Sequence, residues 1–279
     1  MDLQELGEPV AIDTIGTEVR RKLKSGRHYQ ILPEPAPPYV SVTTFLNVIN
    51  KPAIGPWMAK REREMVLKCA AKYYFGGVEG EVPSSLEAYM AILNSLVGRE
   101  RAATKEMEKA GDIGTEAHNF IEWYLRDNYF AGTAGKEPDE LCDPAMIAVN
   151  HFFDWEKLVD LDPIGIEQVV FSHDWKIAGT LDLVAWVTLK DLGRVKALVD
   201  FKTGKAVYAE AYIQTCLYEH CRREMGLQPT DVRIILRLPK TEKDPIFEPV
   251  VVEGYMEHIK AGKEALGLWQ WQQKNSKYK

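Results

Sequence analysis

The 279 residues suffice for one large domain or two small ones, and 46% hydrophobic with 27% charged residues is typical of a folded globular protein. No apolar run approaches the roughly 18–20 residues that span a bilayer, which argues against an integral membrane protein. The net charge of −6 does not favour nucleic-acid binding over the whole surface, yet it is compatible with a local basic groove.

The beginning of the chain and the cysteines bear on the compartment. Residues 1–19 start with acidic groups and contain no apolar signal region, so no targeting segment is predicted. Cys69, Cys142, Cys216 and Cys221 are few and far apart, which predicts buried free thiols rather than a disulfide framework. Both features favour the cytoplasm.

The first half of the chain has the pattern of helices. Ser41 and Thr43 are candidate N-caps for a short apolar stretch that ends at Ile49. After it, apolar residues recur every three or four positions in four segments, which is typical of amphipathic helices. The predicted helices cover residues 57–74, 86–110, 115–126 and 144–159.

After Pro163 the pattern changes to that of β-strands. Runs rich in β-branched residues alternate with short turns, which favours a meander. The predicted strands are 164–171, 177–188, 196–201, 232–238 and 246–252, and the predicted helices are 206–225 and 255–272. We therefore expect one domain over residues 1–279, with a mostly helical part at 1–160 and a mostly antiparallel α/β core at 161–279.

Two carboxylates and a lysine lie on neighbouring predicted strands. Asp182 follows Gly179-Thr180-Leu181 on one strand, and Asp200-Phe201-Lys202 closes the next. Asp200 and Lys202 are two positions apart, so strand alternation projects both from one face. Carboxylates hold Mg²⁺ or Mn²⁺, and such a cation activates water, while a lysine orients or activates that water or stabilises the transition state. The pattern indicates phosphodiester hydrolysis.

The spacing alone is not specific. Asp174-Trp175-Lys176 has the same Asp-x-Lys spacing, but it falls in a predicted turn, whereas Asp200 ends a buried strand. Thr203-Gly204-Lys205 resembles the end of a phosphate-binding loop. Val199 and Ala206 stand where that loop needs Gly and Ser or Thr, so we discard it.

Other polar residues accompany the carboxylates and the lysine. His118 and Glu122 share a helix face, but a single helix histidine is more often a polar or packed residue than a metal ligand. Gln214 and Tyr218 also share a face, and taken alone they indicate half-buried helix polarity. Glu167 lies mid-strand, where charge is disfavoured, so it is either an edge residue or a third acid of the site.

Taken in order, these motifs resemble the PD-(D/E)XK nuclease superfamily. They are most similar to RecB-type exonuclease domains, which include CRISPR-associated and mitochondrial genome maintenance exonucleases. The resemblance spans about residues 39–225, since 39–44, Lys51-Pro52 and Trp57 also look like the opening of that group. It implies an α/β fold with a restriction-endonuclease-like mixed β-sheet core flanked by helices and an N-terminal helical extension.

The resemblance also implies a metal centre that holds Mg²⁺ or Mn²⁺. Its ligands would be His118, Asp182, Asp200 and the backbone carbonyl of Phe201. Iron–sulfur members of this group carry one early cysteine and a close C-terminal cysteine cluster. Here Cys216 and Cys221 fall inside the motif helix and no cysteine follows them, so no iron–sulfur cluster is expected.

The remaining roles follow from the same resemblance. Lys202 would be the catalytic lysine, Glu167 an accessory acid, and Gln214 and Tyr218 would line the DNA path. The expected function is a metal-dependent deoxyribonuclease of bacterial or phage type, with an exonuclease favoured and DNA as the substrate. The alternatives are a structure-selective endonuclease and a catalytically inactive DNA-binding or assembly module, and the intact Asp, Asp, Lys and His set argues against the latter.

Overall fold

We analysed a computed structural model, which describes residues 19–23, 26–31, 38–49, 51–74, 85–96, 102–243 and 246–275. The strands are β1 (Val19–Leu23), β2 (Gly26–Gln30), β3 (Tyr39–Ser41), β4 (Asp162–Ser172), β5 (Ile177–Leu189), β6 (Gly193–Thr203), β7 (Val232–Leu238) and β8 (Glu248–Val251). The helices are α1 (Val42–Phe45), α2 (Ile54–Tyr74), α3 (Leu86–Leu96), α4 (Ala102–Tyr129), α5 (Asp143–Val159), α6 (Ala209–Glu224) and α7 (Tyr255–Asn275). Within these ranges, no helix is long and apolar enough to cross a membrane.

The strands and helices predicted after Pro163 are confirmed, with shifts of a few residues at their ends. The strands β1, β2 and β3 are not among the predicted elements, because β1 has a charged sequence and β3 has only three residues. A predicted break at residues 111–114 is wrong, since α4 continues through Gly111 and Gly114. Each glycine weakens a helix by about 1 kcal/mol relative to alanine, which the context of a 28-residue helix overrides here.

The chain forms two compact units. The first comprises Met1–Ile49 and Glu116–Lys279 and holds the whole sheet. The second is Asn50–Thr115, with α2, α3 and the first half of α4. Inside the second unit, Arg61 of α2 and Glu106 of α4 form an ion pair of 3.1 Å. All of the candidate site residues lie in the first unit.

The eight strands form one mixed sheet. Their order is β1-β2-β3-β5-β6-β7-β8, with β4 paired to β5. The β3–β5 and β6–β7 pairs are parallel, and the other pairs are antiparallel. The expected α/β class is therefore confirmed, as a mixed sheet flanked by helices.

The sheet splits along one edge of β5. Strand β4 pairs with β5 from Ile177 to Trp186 and so occupies one edge. On the other edge, β3 pairs with Ile177 and Ala178, whereas β6 pairs from Leu183 onwards. The two strands therefore diverge around residues 179–182. Asp182 lies at this point of divergence, where side chains from several elements can meet.

Helices cover both faces of the sheet near this split. Along β6, the ring of Phe201 packs against Phe152 of α5, with 5.6 Å between ring centroids. The neighbouring Asp200 contacts Gln214 of α6 instead. Since successive strand residues point to opposite faces, α5 and α6 lie on opposite sides of β6. The main core, around Leu217 of α6, lies between the sheet and α1, α6 and α7.

The four cysteines are free. Cys216 and Cys221 are buried in α6, as predicted, and burial raises the pKa of the Cys216 thiol to about 11. Cys69 is half-buried. The predicted burial is wrong for Cys142, which is exposed because it precedes the N-terminus of α5 at the surface.

Candidate active site

Three side chains of metal-ligand type converge at the split in the sheet. His118 comes from α4, Glu167 from β4 and Asp182 from β5, and one ligand atom of each lies within 4.8 Å of those of the other two. His118 Nδ1 is 3.5 Å from Asp182 Oδ1. The register of β4 against β5 explains this meeting, because Ile166 pairs with Leu183 and Gln168 with Leu181, which brings the intervening Glu167 level with Asp182. The helix adds the imidazole from outside the sheet.

Glu167 holds an unusual backbone conformation for a strand residue. Its φ of +48° lies in the left-handed region. The other non-glycine residues of this kind in the described chain are Asp160, which follows α5, and Lys176, in the turn before β5. Within a strand such a conformation costs about 1–3 kcal/mol. The surrounding structure therefore holds the Glu167 carboxylate in place against its backbone preference.

Asp200 and Lys202 form an ion pair beside these three groups. Lys202 Nζ lies 2.5 Å from Asp200 Oδ2, in agreement with the predicted shared face. The Asp200 side chain is 1% exposed, whereas that of Lys202 is 32% exposed. The backbone N–H of Phe201 donates to Asp182 Oδ2 at 2.6 Å. This hydrogen bond joins β6 to β5 and links the ion pair to the His118, Glu167 and Asp182 cluster.

Gln214 and Tyr218 of α6 support Asp200 from below the sheet. Gln214 Nε2 donates to Asp200 Oδ1 at 3.0 Å and to the Tyr218 hydroxyl at 2.9 Å. Both side chains are buried, so the structure gives them a role in holding this carboxylate, and their contact with DNA stays a prediction. The Tyr218 ring packs directly on Gly179, where a Cβ atom would lie 2.4 Å from Cε1. The glycine in the sequence motif is thus required by the tyrosine.

The charges of the site shift the pKa values of its members. Burial raises the pKa of Asp200 to about 6, with Asp182 adding to the effect and Lys202 opposing it. Burial lowers the pKa of Lys202, but Asp200 and Asp182 outweigh it and leave this pKa raised. Burial also lowers the pKa of His118, but the nearby Asp182 outweighs burial and leaves this pKa raised. Burial raises the pKa of Asp182, but His118 and Lys202 outweigh this effect, so the pKa of Asp182 is lowered overall.

The converging groups fit a divalent cation. Ligands about 2.0–2.1 Å from an octahedral Mg²⁺ lie roughly 3 Å apart when adjacent and roughly 4.2 Å apart when opposite. The observed separations of 3.5 Å and up to 4.8 Å are slightly wider, so a small inward movement would bring the three groups to coordination distance. Two carboxylates suit Mg²⁺ or Mn²⁺, and a cation would relieve the repulsion between Glu167 and Asp182.

Asp200, the other predicted carboxylate ligand, is placed differently. Among the described residues, the group whose ligand atoms lie within 4.8 Å of one another is His118, Glu167 and Asp182. The two oxygens of Asp200 contact Gln214 and Lys202. Glu167, predicted as an accessory acid, is therefore closer to the position of a direct ligand in this arrangement.

Two arginines of the site were missed by the sequence analysis. Arg126 Nη2 donates to the Ile166 carbonyl at 3.3 Å, and Arg222 Nη1 donates to Gln168 Oε1 at 2.9 Å. Each arginine follows a predicted site residue or its helix neighbour by four positions, so it continues a polar helix face by one turn. Those faces are His118-Glu122-Arg126 on α4 and Gln214-Tyr218-Arg222 on α6.

Comparisons with known proteins add little. No family model and no curated protein matches this chain. One solved structure, titled "Crystal structure of SSO0001", is 11% identical, covers 74% of this chain and 85% of its own, and has a TM-score of 0.27. At that TM-score the likeness carries no argument about fold or function.

The left-handed backbone of Glu167 predicts an inverted order of stability. In a strand interior, glycine is normally less stable than alanine by roughly 0.5–1 kcal/mol. At position 167, we expect Glu167→Gly to be about 1 kcal/mol more stable than Glu167→Ala, because only alanine keeps the strain. Urea denaturation without metal measures both. As a control, Val169→Gly should be less stable than Val169→Ala, because Val169 lies two residues further along the same strand. If Glu167→Gly is also less stable than Glu167→Ala, the predicted backbone strain at position 167 is contradicted.

The raised pKa of Asp200 predicts how stability depends on pH. The folded protein keeps this proton to about pH 6, against an ordinary value of 3.8, so the contribution of Asp200 to stability falls as pH rises through this window. The variant Asp200→Asn has no carboxyl group at this position and therefore lacks this pH dependence. The unfolding free energy of the variant minus that of wild type should therefore increase by up to about 3 kcal/mol from pH 4 to pH 7. Urea denaturation in EDTA tests this, and a difference that stays constant with pH would contradict it.

Proposed function

We propose that this chain is a divalent-metal-dependent nuclease that hydrolyses phosphodiester bonds in DNA, with exonuclease activity favoured. The observation that carries the proposal is the meeting of His118, Glu167 and Asp182 beside the Asp200–Lys202 pair. Three potential metal ligands and one partly exposed ammonium are the groups that metal-dependent hydrolysis of a phosphodiester uses. The order of the motifs along the chain supports the same class of enzyme.

The cation would be Mg²⁺ or Mn²⁺, and when bound it would neutralise charge on the phosphate and lower the pKa of a water molecule. His118, Glu167 and Asp182 would hold it. The Phe201 N–H fixes the orientation of Asp182 through its hydrogen bond. The chain itself therefore supplies a pre-arranged set of oxygen and nitrogen donors.

Lys202 has the surroundings of a charge-stabilising group. Asp200 lies beneath it and fixes the direction of the ammonium, while 32% of the lysine side chain stays accessible. Without a cation its pKa is raised, mainly by Asp200, which keeps the ammonium protonated. A protonated lysine donates hydrogen bonds to developing negative charge on a phosphate oxygen, and this role is favoured over that of a base.

The deciding experiment is digestion of end-labelled linear DNA and closed circular DNA with Mg²⁺, Mn²⁺ or EDTA. An exonuclease would shorten the linear DNA from its ends and leave the closed circle intact. Cleavage of the circle would indicate the endonuclease alternative. Absence of cleavage with either metal would contradict the proposal and leave the inactive DNA-binding or assembly module.

The proposed role of Lys202 predicts a large loss of rate. Lys202→Gln removes the ammonium but keeps a polar side chain, so cleavage should slow by roughly 10²-fold or more. Initial rates on linear DNA at saturating Mn²⁺ measure this. Lys205→Gln changes an exposed lysine three residues further on and should keep the wild-type rate. Equal rates for wild type and Lys202→Gln would remove this lysine from the mechanism.

A further inference from the structure

The segment of β4 around Glu167 departs from a regular strand at more than one position. The register between β4 and β5 shifts between Pro163 and Gly165. A Cβ atom at Gly165 would lie 1.7 Å from Gln168 Nε2, so a side chain there would displace that of Gln168. The Gln168 side chain thus folds back over Gly165, and Glu167, between them, has its left-handed φ. This irregular segment directs Glu167 towards Asp182.

Two arginines contact the residues directly before and after Glu167 in the sequence. Arg126 of α4 donates to the carbonyl of Ile166, the residue before Glu167, and its Nε donates to Glu122 Oε1 at 2.8 Å. Arg222 of α6 donates to the side chain of Gln168, the residue after it. The guanidinium of Arg222 also donates to the Gln228 carbonyl at 3.1 Å. Each arginine therefore ties β4 to a fixed partner elsewhere in the fold.

The two arginines differ in accessibility. The Arg222 side chain is 6% exposed and lies close to the fully buried Glu219, with 3.6 Å between Nε and Oε2. Arg126 is 29% exposed and is paired with Glu122 on its own helix. Removal of Arg222 therefore disturbs a buried ionic network, whereas removal of Arg126 disturbs a half-exposed contact. Arg126 is the better residue for a test.

We propose that Arg126 and Arg222 are positioning residues that hold the irregular segment of β4, and through it keep the Glu167 carboxylate at the metal site. The inference rests on the metal site of the proposed function and concerns residues outside its motifs. A left-handed backbone in a strand relaxes unless neighbouring contacts hold it. Groups that orient a ligand without touching the metal commonly change metal affinity by 10–100-fold when removed.

The test measures Mn²⁺ affinity of the full chain by isothermal titration calorimetry, without DNA. Arg126→Gln should raise the Kd for Mn²⁺ about tenfold or more, because Glu167 is then free to leave its position. Arg194→Gln and Arg223→Gln are matched controls that should stay within about twofold of wild type. Arg194 pairs with Asp162 on the same strand, and Arg223 shares Glu219 with Arg222 but makes no contact with Gln168 among the described hydrogen bonds.

A double substitution separates positioning from a general loss of stability. In a Glu167→Gln background, adding Arg126→Gln should change the Kd for Mn²⁺ less than twofold, since the carboxylate it positions is already gone. A wild-type Kd for Arg126→Gln, or a full tenfold loss in the Glu167→Gln background, would overturn the inference. If Arg126→Gln does not fold, Arg126→Lys serves instead, because one ammonium does not reproduce the forked contact to Glu122 and Ile166.

The outcomes for this inference and for the proposed function are separate. Wild type that binds Mn²⁺, loses affinity on Arg126→Gln and cleaves no DNA would contradict the nuclease and support the positioning role. Wild type that cleaves DNA with Mn²⁺ while Arg126→Gln keeps its Kd would support the nuclease and overturn the positioning role. Wild type that binds no Mn²⁺ would overturn both.

Discussion

One polar face of α6 holds the strands that carry the candidate site. Gln214 contacts Asp200 on β6, Tyr218 packs on Gly179 of β5, and Arg222 binds Gln168 on β4. Residues four apart on a helix are offset by only about 40°, so this face winds slowly across the three strands. Because a buried polar group is costly unless it is hydrogen-bonded, the relative position of the strands depends on these contacts.

The same arrangement explains why charged groups are tolerated next to the core. Asp200 is almost fully buried, yet its oxygens contact an ammonium and an amide. Asp182 receives a backbone hydrogen bond and faces His118, while Glu167 lies level with it on the neighbouring β4. Without a cation, the close carboxylates repel one another, and the left-handed Glu167 adds backbone strain. A bound cation would offset that repulsion, so metal binding at this site would also stabilise the fold.

The split of the sheet is what makes room for this chemistry. Strands β3 and β6 both pair with one edge of β5 and diverge around residues 179–182. In a continuous sheet these positions would be filled by backbone pairing and apolar side chains. Here His118 enters from α4, and the ring of Phe201 closes one side through an edge-to-face contact with it, with 5.8 Å between ring centroids. The site therefore depends on the strands β1–β3, which join the rest of the sheet through the pairing of β3 with β5.

Much of the fold and half of the site follow from local sequence patterns. Periodicity and turn residues predict the elements from Pro163 onwards, and the spacing of Asp200 and Lys202 predicts their shared face, because alternation is a local property of a strand. Strands β1–β3 escape such patterns, since β1 is too charged to show an apolar alternation and the three-residue β3 depends on its pairing with the distant β5. The same limit applies to Glu167, Arg126 and Arg222. The four-residue spacing places both arginines on polar helix faces, but nothing local specifies a left-handed glutamate in a strand or that these arginines bind beside it. These contacts join residues 40 and 54 positions apart, and only the packing of α4 and α6 on the sheet brings them together.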